Sequence, residues 1–313
     1  VRGDFAPNAS SFEGLIEVTS GELRLASVLN MQKGTLRLNG DNYVYNNSGT
    51  HSIGALEGSN AAASITSGTW NVGYLGTDNT YAGKLASGIT VNKYGDGRWT
   101  LTGTSAAPIN IYAGTLDVEN TAAPTTTGTI TVRSGATLTG SGQTGAVVVM
   151  NGGTIAASKN TILTGSITLT STLRVNSGGK IRIRGRGNAT SHIDTYNVAG
   201  TVTLSSPHFL MERLSGAWQP DEELKPFTGT GTISLNGTPT FTPERPLDGY
   251  LWDCSELQSH GVIRIVADPD ADAITDINAY GQSSQTIYDV TGRTVDMPAK
   301  GLYIQNGRKI FVK

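Results

Sequence analysis

The densest charge in the chain is Lys180, Arg182, Arg184 and Arg186, alternating with Ile181, Ile183 and Gly185. Successive side chains of an extended strand point to opposite faces, so this period places all four cations on one side. With Arg174 one phrase earlier, they could form a stripe that pairs with the carboxylates of uronic acids or with sulfate groups on a glycan. A solvated strand face whose like charges discourage edge pairing is the plainer reading of the same residues. Aromatic residues offer a second chemistry. Trp70, Tyr74, Tyr81, Tyr94 and Trp99 could turn ring faces toward the apolar faces of pyranose sugars, Trp70 and Trp99 foremost. Packing in a core or turn is the alternative for each ring.

Catalytic chemistry is harder to assemble. A lyase centre working by β-elimination would need clustered acids around a calcium ion beside a Lys or Arg base, whereas Glu22, Asp78, Asp96, Asp117 and Glu119 are scattered. His51, His192, His208 and His260 are far apart and lack the spacing of paired metal ligands. Neither a Gly-x-Ser-x-Gly elbow nor a Gly-Gly-x-Gly-x-Asp calcium repeat stands out. Arg2-Gly3-Asp4 matches an integrin-binding tripeptide, but three residues carry almost no information. Cys254, the single cysteine, cannot form an internal disulfide and reads as a small packing residue. The expectation is a chain without catalysis, metal or other cofactor. A polysaccharide lyase or another glycan-active enzyme is the alternative.

The elements that would hold these groups are strands. Forty Gly in 313 residues and only 15% charged residues depart from ordinary composition, and Gly with Thr weakens helices while Thr suits a pleated strand. A short phrase, Gly-x-apolar-x-apolar, recurs along the chain. It opens at Gly21-Glu22-Leu23-Arg24-Leu25 and Gly34-Thr35-Leu36-Arg37-Leu38, and continues through Gly114, Gly128, Gly153, Gly165, Gly179, Gly200, Gly231 and Gly261. Such five-residue stubs suit stacked coils of about 20 to 25 residues better than the long hairpins of a sandwich. A net charge of -2 and a pI near 6.1 give no basic field for phosphates, so nucleic acid is not expected as a partner. No apolar run is long enough to cross a bilayer as a helix.

The stretch from Ser52 to Asn120 resembles the autotransporter-associated β-strand repeat of bacterial surface proteins. Its carriers are Ile53-Gly54-Ala55-Leu56-Glu57-Gly58, Trp70-Asn71-Val72-Gly73, Thr77-Asp78-Asn79-Thr80-Tyr81-Ala82-Gly83, Lys93-Tyr94-Gly95-Asp96-Gly97 and Ala113-Gly114-Thr115-Leu116-Asp117-Val118. Arg98 and Trp99 depart from its usual Gly-Thr-Leu-Thr-Leu strand in side chain but not in pattern. Gly249 to Leu257 followed by Gly261 to Val266 is similar to the closing segment of such passengers, with Cys254 where that segment carries Thr. From about Ile274 to Lys313 the chain resembles the C-terminal sorting domain of proteins secreted by bacteria of the Bacteroidetes type, through Ile287-Tyr288-Asp289-Val290-Thr291-Gly292-Arg293 and Lys300-Gly301-Leu302-Tyr303-Ile304. The first resemblance implies a right-handed parallel β-helix; the last implies a secreted or cell-surface bacterial protein.

Together these readings predict an all-β chain: a right-handed parallel β-helix, or solenoid, over 1–267, irregular and capping from about 205, then a small antiparallel β module over 268–313. The linker Asp268-Pro269-Asp270-Ala271-Asp272 marks the boundary. The expected function is that of a stalk or adhesin that carries an upstream domain of the same polypeptide. Along one Thr- and Arg-coated face it would bind a polysaccharide or a host or cell-surface glycan. If Val1 follows further coils, the first coil would expose an apolar edge prone to self-association.

Overall fold

A computed structural model describes residues 3–5, 11–25, 28–46, 49–120, 127–158, 162–187, 192–229, 231–269, 271, 286–305 and 308–312. The chain is a parallel β-helix followed by small antiparallel sheets, the class expected from the sequence. One side of the coil is an eleven-stranded parallel sheet running from Leu15–Val18 to Ile233–Asn236; a second is an eight-stranded parallel sheet from Asn79–Tyr81 to Thr240–Thr242. The third side holds a five-stranded sheet in the N-terminal coils and a four-stranded sheet in the C-terminal ones. Between them Ser105 pairs with Leu85, and Thr127 N–H donates to Ser105 O, so this side continues where no strand is formed.

Each Gly-x-apolar-x-apolar phrase lies on or beside a strand because alternation sends its apolar residues inward and the turn glycine frees the corner. Stacking then aligns like with like. Val91 sits against Trp70 and Ile109, Ile130 against Ile109 and Val147, and Leu173 against Val147 and Val202. These side chains are fully or almost fully buried, and each aliphatic one contributes roughly 1.5–3 kcal/mol of burial. Coils lengthen only in the C-terminal half, after a step of 18 residues between Asn92 and Asn110. Asn92 reaches back 21 residues to its counterpart on the neighbouring coil, Thr170 reaches back 26, and Gly165 bonds a residue 29 away.

The change of character expected from about residue 205 is gradual. Parallel pairing continues through Val202–Ser205 with Ile233–Asn236 and His208–Ser215 with Thr240–Thr242. Beyond it, Glu223–Leu224, Tyr250–Asp253 and Ile263–Ala267 form an antiparallel sheet, and the short helix Leu257–His260 buries Leu257. The Gly261 phrase therefore belongs to this antiparallel end. Ile287–Asp289, Gly301–Gln305 and Arg308–Val312 make a separate antiparallel sheet. Asn306 and Gly307, between its last two strands, lie outside the described residues, as do Asp270 and Asp272 of the acidic linker and Arg2 of the tripeptide. Among the described residues no helix is long and apolar enough to cross a membrane.

Candidate functional site

Chemistry-bearing side chains gather at the corner where the eleven-stranded sheet turns into the eight-stranded one. Lys93 falls in an inward column, paired in register between Val72 and Ile111, and is 1% exposed. Its Nζ bends into the turn and donates to the carbonyls of Tyr94 at 3.0 Å, Gly95 at 2.6 Å, Gly97 at 2.6 Å and Ala113 at 3.1 Å. Burial pulls its pKa down to about 8, opposed by Asp96 and Asp78, so the ammonium is kept at neutral pH. Carbonyl oxygens of two successive turns are thereby tied together from inside.

On the outside of the same corner three tyrosines stack. Tyr74 and Tyr94 have ring centroids 4.9 Å apart, Tyr94 and Tyr112 are 4.8 Å apart, and the Arg133 guanidinium lies 4.5 Å over the Tyr112 ring. Backbone bonds carry the row onward, from Met150 N–H to Val132 O and from Asn176 N–H to Val149 O. Glycine makes this close stacking possible. Gly95, at φ 67°, would place a Cβ 2.0 Å from Gly73 O, so no other residue fits. Tyr94 is stacked between Tyr74 and Tyr112, and Tyr112 between Tyr94 and Arg133, so neither offers the open face that a sugar-stacking platform needs. Beside this row, Asn92 bonds Asn71 at 2.9 Å and Asn110 bonds Asn92 at 3.0 Å in a second axial ladder.

Trp70 and Trp99 are both buried in the core. Trp70 stacks on His51 and donates to Ser67 O, while Trp99 packs near Tyr81 and donates to Leu56 O. Both lie at inward positions of their strands, so neither ring can serve a glycan platform. Burial holds the His51 imidazole down to about 4, and its Nδ1 accepts the Leu29 N–H. Tyr81 is also fully buried; its hydroxyl finds no partner, and burial raises its pKa.

The cationic stripe is only partly as expected. Lys180 and Arg182 face outward, but Arg184 is 1% exposed and forms a bidentate pair with Asp194 at 2.7 and 3.0 Å. Alternation ends there, with a register shift between Gly185 and Arg186, and Arg186 is exposed beyond it. Arg174 lies on the neighbouring sheet, across the 176–179 turn from Lys180, with its Nε on Asn176 Oδ1 at 3.0 Å. Sequence reasoning missed the Arg184–Asp194 pair because the acid comes ten residues later, beyond the end of the strand. It also missed the Lys93 cage, although the parity of Ile89, Val91 and Lys93 signals an inward lysine.

Several acids serve as local partners. Asp78 accepts the Arg98 N–H, Glu119 accepts the Ser141 hydroxyl, and buried Asp117 lies 3.4 Å from Arg98. No group of three or more His, Cys, Asp or Glu side chains able to hold a metal occurs among the described residues. His208 holds Thr240 and Thr242 through its two ring nitrogens, and partial burial with nearby Lys180 lowers its pKa. A cavity of about 780 Å³ lies at the capped end, lined by Phe227, Thr232, Gln258, Ser259 and His260. There Ser259 and Glu256 both approach His260 Nδ1, so they are not arranged as a relay, which needs both ring nitrogens. Cys254 is half-buried, and burial pushes its thiol up to about 12, far from a reactive thiolate.

No family model matches the chain, and no curated protein matches it in sequence.

Proposed function

We propose that the chain is a non-catalytic rod: a stalk or adhesin segment of a secreted or cell-surface bacterial protein that holds an upstream domain away from its anchor. One observation carries this reading. The outward side chains best suited to chemistry contact their own counterparts on the next coil, as in the asparagine ladder and the tyrosine stack, and the inward Lys93 ties together carbonyls of two successive turns. Such axial bonds stiffen a solenoid, in which each coil is stabilised only by its neighbours. The resemblance of 52–120 to autotransporter-associated repeats, and of the C-terminal segment to sorting domains, supports surface placement.

The test is incubation with neutral, uronic-acid and sulfated polysaccharides, with calcium present, followed by reducing-end and unsaturated-uronate assays. The rod reading expects no new ends with any substrate. Enzyme-dependent accumulation of unsaturated uronate would overturn it in favour of a lyase.

A further inference from the structure

The charged side chains of the described helix are not distributed evenly between paired and unpaired. Arg98, Arg184, Arg213 and Arg245 each lie against a carboxylate. Arg133, Arg174, Lys180 and Arg182 do not; none of the four is in an ion pair. They sit at one place in the fold. Arg133 and Asn176 occupy the same corner row, with Met150 between them. That places Arg133 two coils, about 10 Å, from the Arg174–Lys180 turn at the sheet spacing of about 4.8 Å per coil. Arg174 and Lys180 flank the turn, and Arg182 follows Lys180 on the outward side of its strand.

Their hydrogen bonding is incomplete as well. Arg182 gives Nη2 to Ser158 O and Arg174 gives Nε to Asn176, but the Nε atoms of Arg133 and Arg182 are buried without an acceptor. The outward neighbours of Arg174 and Lys180 in register are Val148, Thr203, Thr154 and His208, none of them an acid. Glu212 pairs in register with Arg184, beyond the far end of the group.

We propose that Arg133, Arg174, Lys180 and Arg182 form a binding site for a linear acidic polysaccharide lying along this corner, its carboxylate or sulfate oxygens taken by Arg133 on one coil and by the other three on the second coil beyond it. Guanidinium groups present paired donors that match such oxyanions, and their placement on two coils about 10 Å apart suits a repeating polymer rather than a single small anion. Single-stranded nucleic acid fits less well, because it needs open aromatic faces and the nearby Tyr74, Tyr94 and Tyr112 rings cover one another. This site goes beyond the rod reading: binding and turnover are measured separately, so either can fail alone.

The experiment is affinity electrophoresis of the whole chain in gels containing polygalacturonate, dextran sulfate, neutral dextran or a single-stranded oligonucleotide. Retardation by polygalacturonate, dextran sulfate or both, falling steeply with salt, is expected, with none by neutral dextran. Arg174→Gln/Lys180→Gln/Arg182→Gln together should weaken it at least tenfold, while Arg186→Gln, which removes a charge from the same strand past the register shift, should leave it within twofold. Circular dichroism establishes that the variants fold; a triple variant that does not fold is replaced by Lys180→Gln with Arg133→Gln, for which the same loss is expected. Absence of retardation by either acidic polymer, equal loss with Arg186→Gln, or tighter binding of the oligonucleotide would each overturn the proposal.

Discussion

The coils around 68–118 and those around 143–215 solve the same stacking problem differently. In the first group, neighbouring turns are joined by repetition: Asn on Asn, Tyr on Tyr, glycine corner on glycine corner. In the second the turns lengthen, and single non-repeating contacts take over. Asp194 accepts from Arg184 and from Gly165 N–H, while the Tyr196 hydroxyl lies 2.5 Å from Arg182 O and 3.1 Å from Ile155 O. Repetition distributes stability over many small equal contributions, whereas a singular pair concentrates it. The first region should tolerate the loss of one partner; the second should not.

The sharpest way to break this contrast is Arg184→Met. It leaves Asp194 charged and enclosed, and removing one partner of a buried pair costs about 3–5 kcal/mol. Denaturant unfolding should show that loss, and hydrogen exchange should place it in 166–198 while 68–118 stays protected. Arg184→Met with Asp194→Leu should recover most of it; a double variant as unstable as the single one would contradict the account.

Within the repetitive region the largest effect is expected at the one group that has no counterpart. Lys93→Met keeps the stem in its column but strips the ammonium from the four carbonyls, a cost of about 2–3 kcal/mol. A change below 0.5 kcal/mol in denaturant unfolding would mean that water reaches the turn and the cage contributes little.

His51 supplies a pH-dependent counterpart. Its folded pKa of about 4 lies below the ordinary 6.5, so the unfolded chain takes up a proton first. The contribution is complete above pH 6.5 and is lost as pH falls toward 4, by about 2–3 kcal/mol. His51→Gln should flatten the stability profile across that window. A profile as steep as that of the parent would assign the slope to carboxylates instead.

Smaller still is the effect of opening the tyrosine stack. Tyr94→Ser removes two ring contacts worth about 0.5–1.5 kcal/mol each, and Tyr94→Phe keeps both. Near-ultraviolet circular dichroism and thermal melts should separate the two variants. Equal melting of Ser and Phe would show that the rings are spectators.

How much of this was legible in the sequence follows the same division. The recurring phrase marks the strands because period two and a turn glycine are local properties, and it did so at Gly34, Gly114, Gly128 and Gly179 alike. The phrase does not say which sheet a strand joins: Gly261 reads like Gly200 yet its strand pairs antiparallel. Site residues were legible to the extent that they obeyed the period. Lys180 and Arg182 face outward as expected, but Arg184, in the same register, is buried under Asp194, ten residues later. Trp70 and Trp99 had the parity of core residues, and their alternation with Asn71 and Thr100 was the signal for burial. The tyrosine stack could not be read, since aligning Tyr74, Tyr94 and Tyr112 requires the length of each coil beforehand.

The smallest expected change runs in the opposite direction and tests whether repetition tolerates a misfit. Tyr81 is fully buried in the first region, its ring near Trp99, and its hydroxyl lies against other atoms without an acceptor. An unsatisfied buried hydroxyl carries a desolvation cost of about 1–3 kcal/mol, while the ring supplies the packing. Tyr81→Phe removes the cost and keeps the packing, so it should raise stability by about 1 kcal/mol in denaturant unfolding. In the second region the same substitution at Tyr196 removes a hydroxyl within hydrogen-bonding distance of two carbonyls, and it should lower stability by a similar amount. Opposite signs for two buried tyrosines would separate a residue held by shape alone from one held by a specific bond; the same sign for both would dissolve the distinction between the two regions.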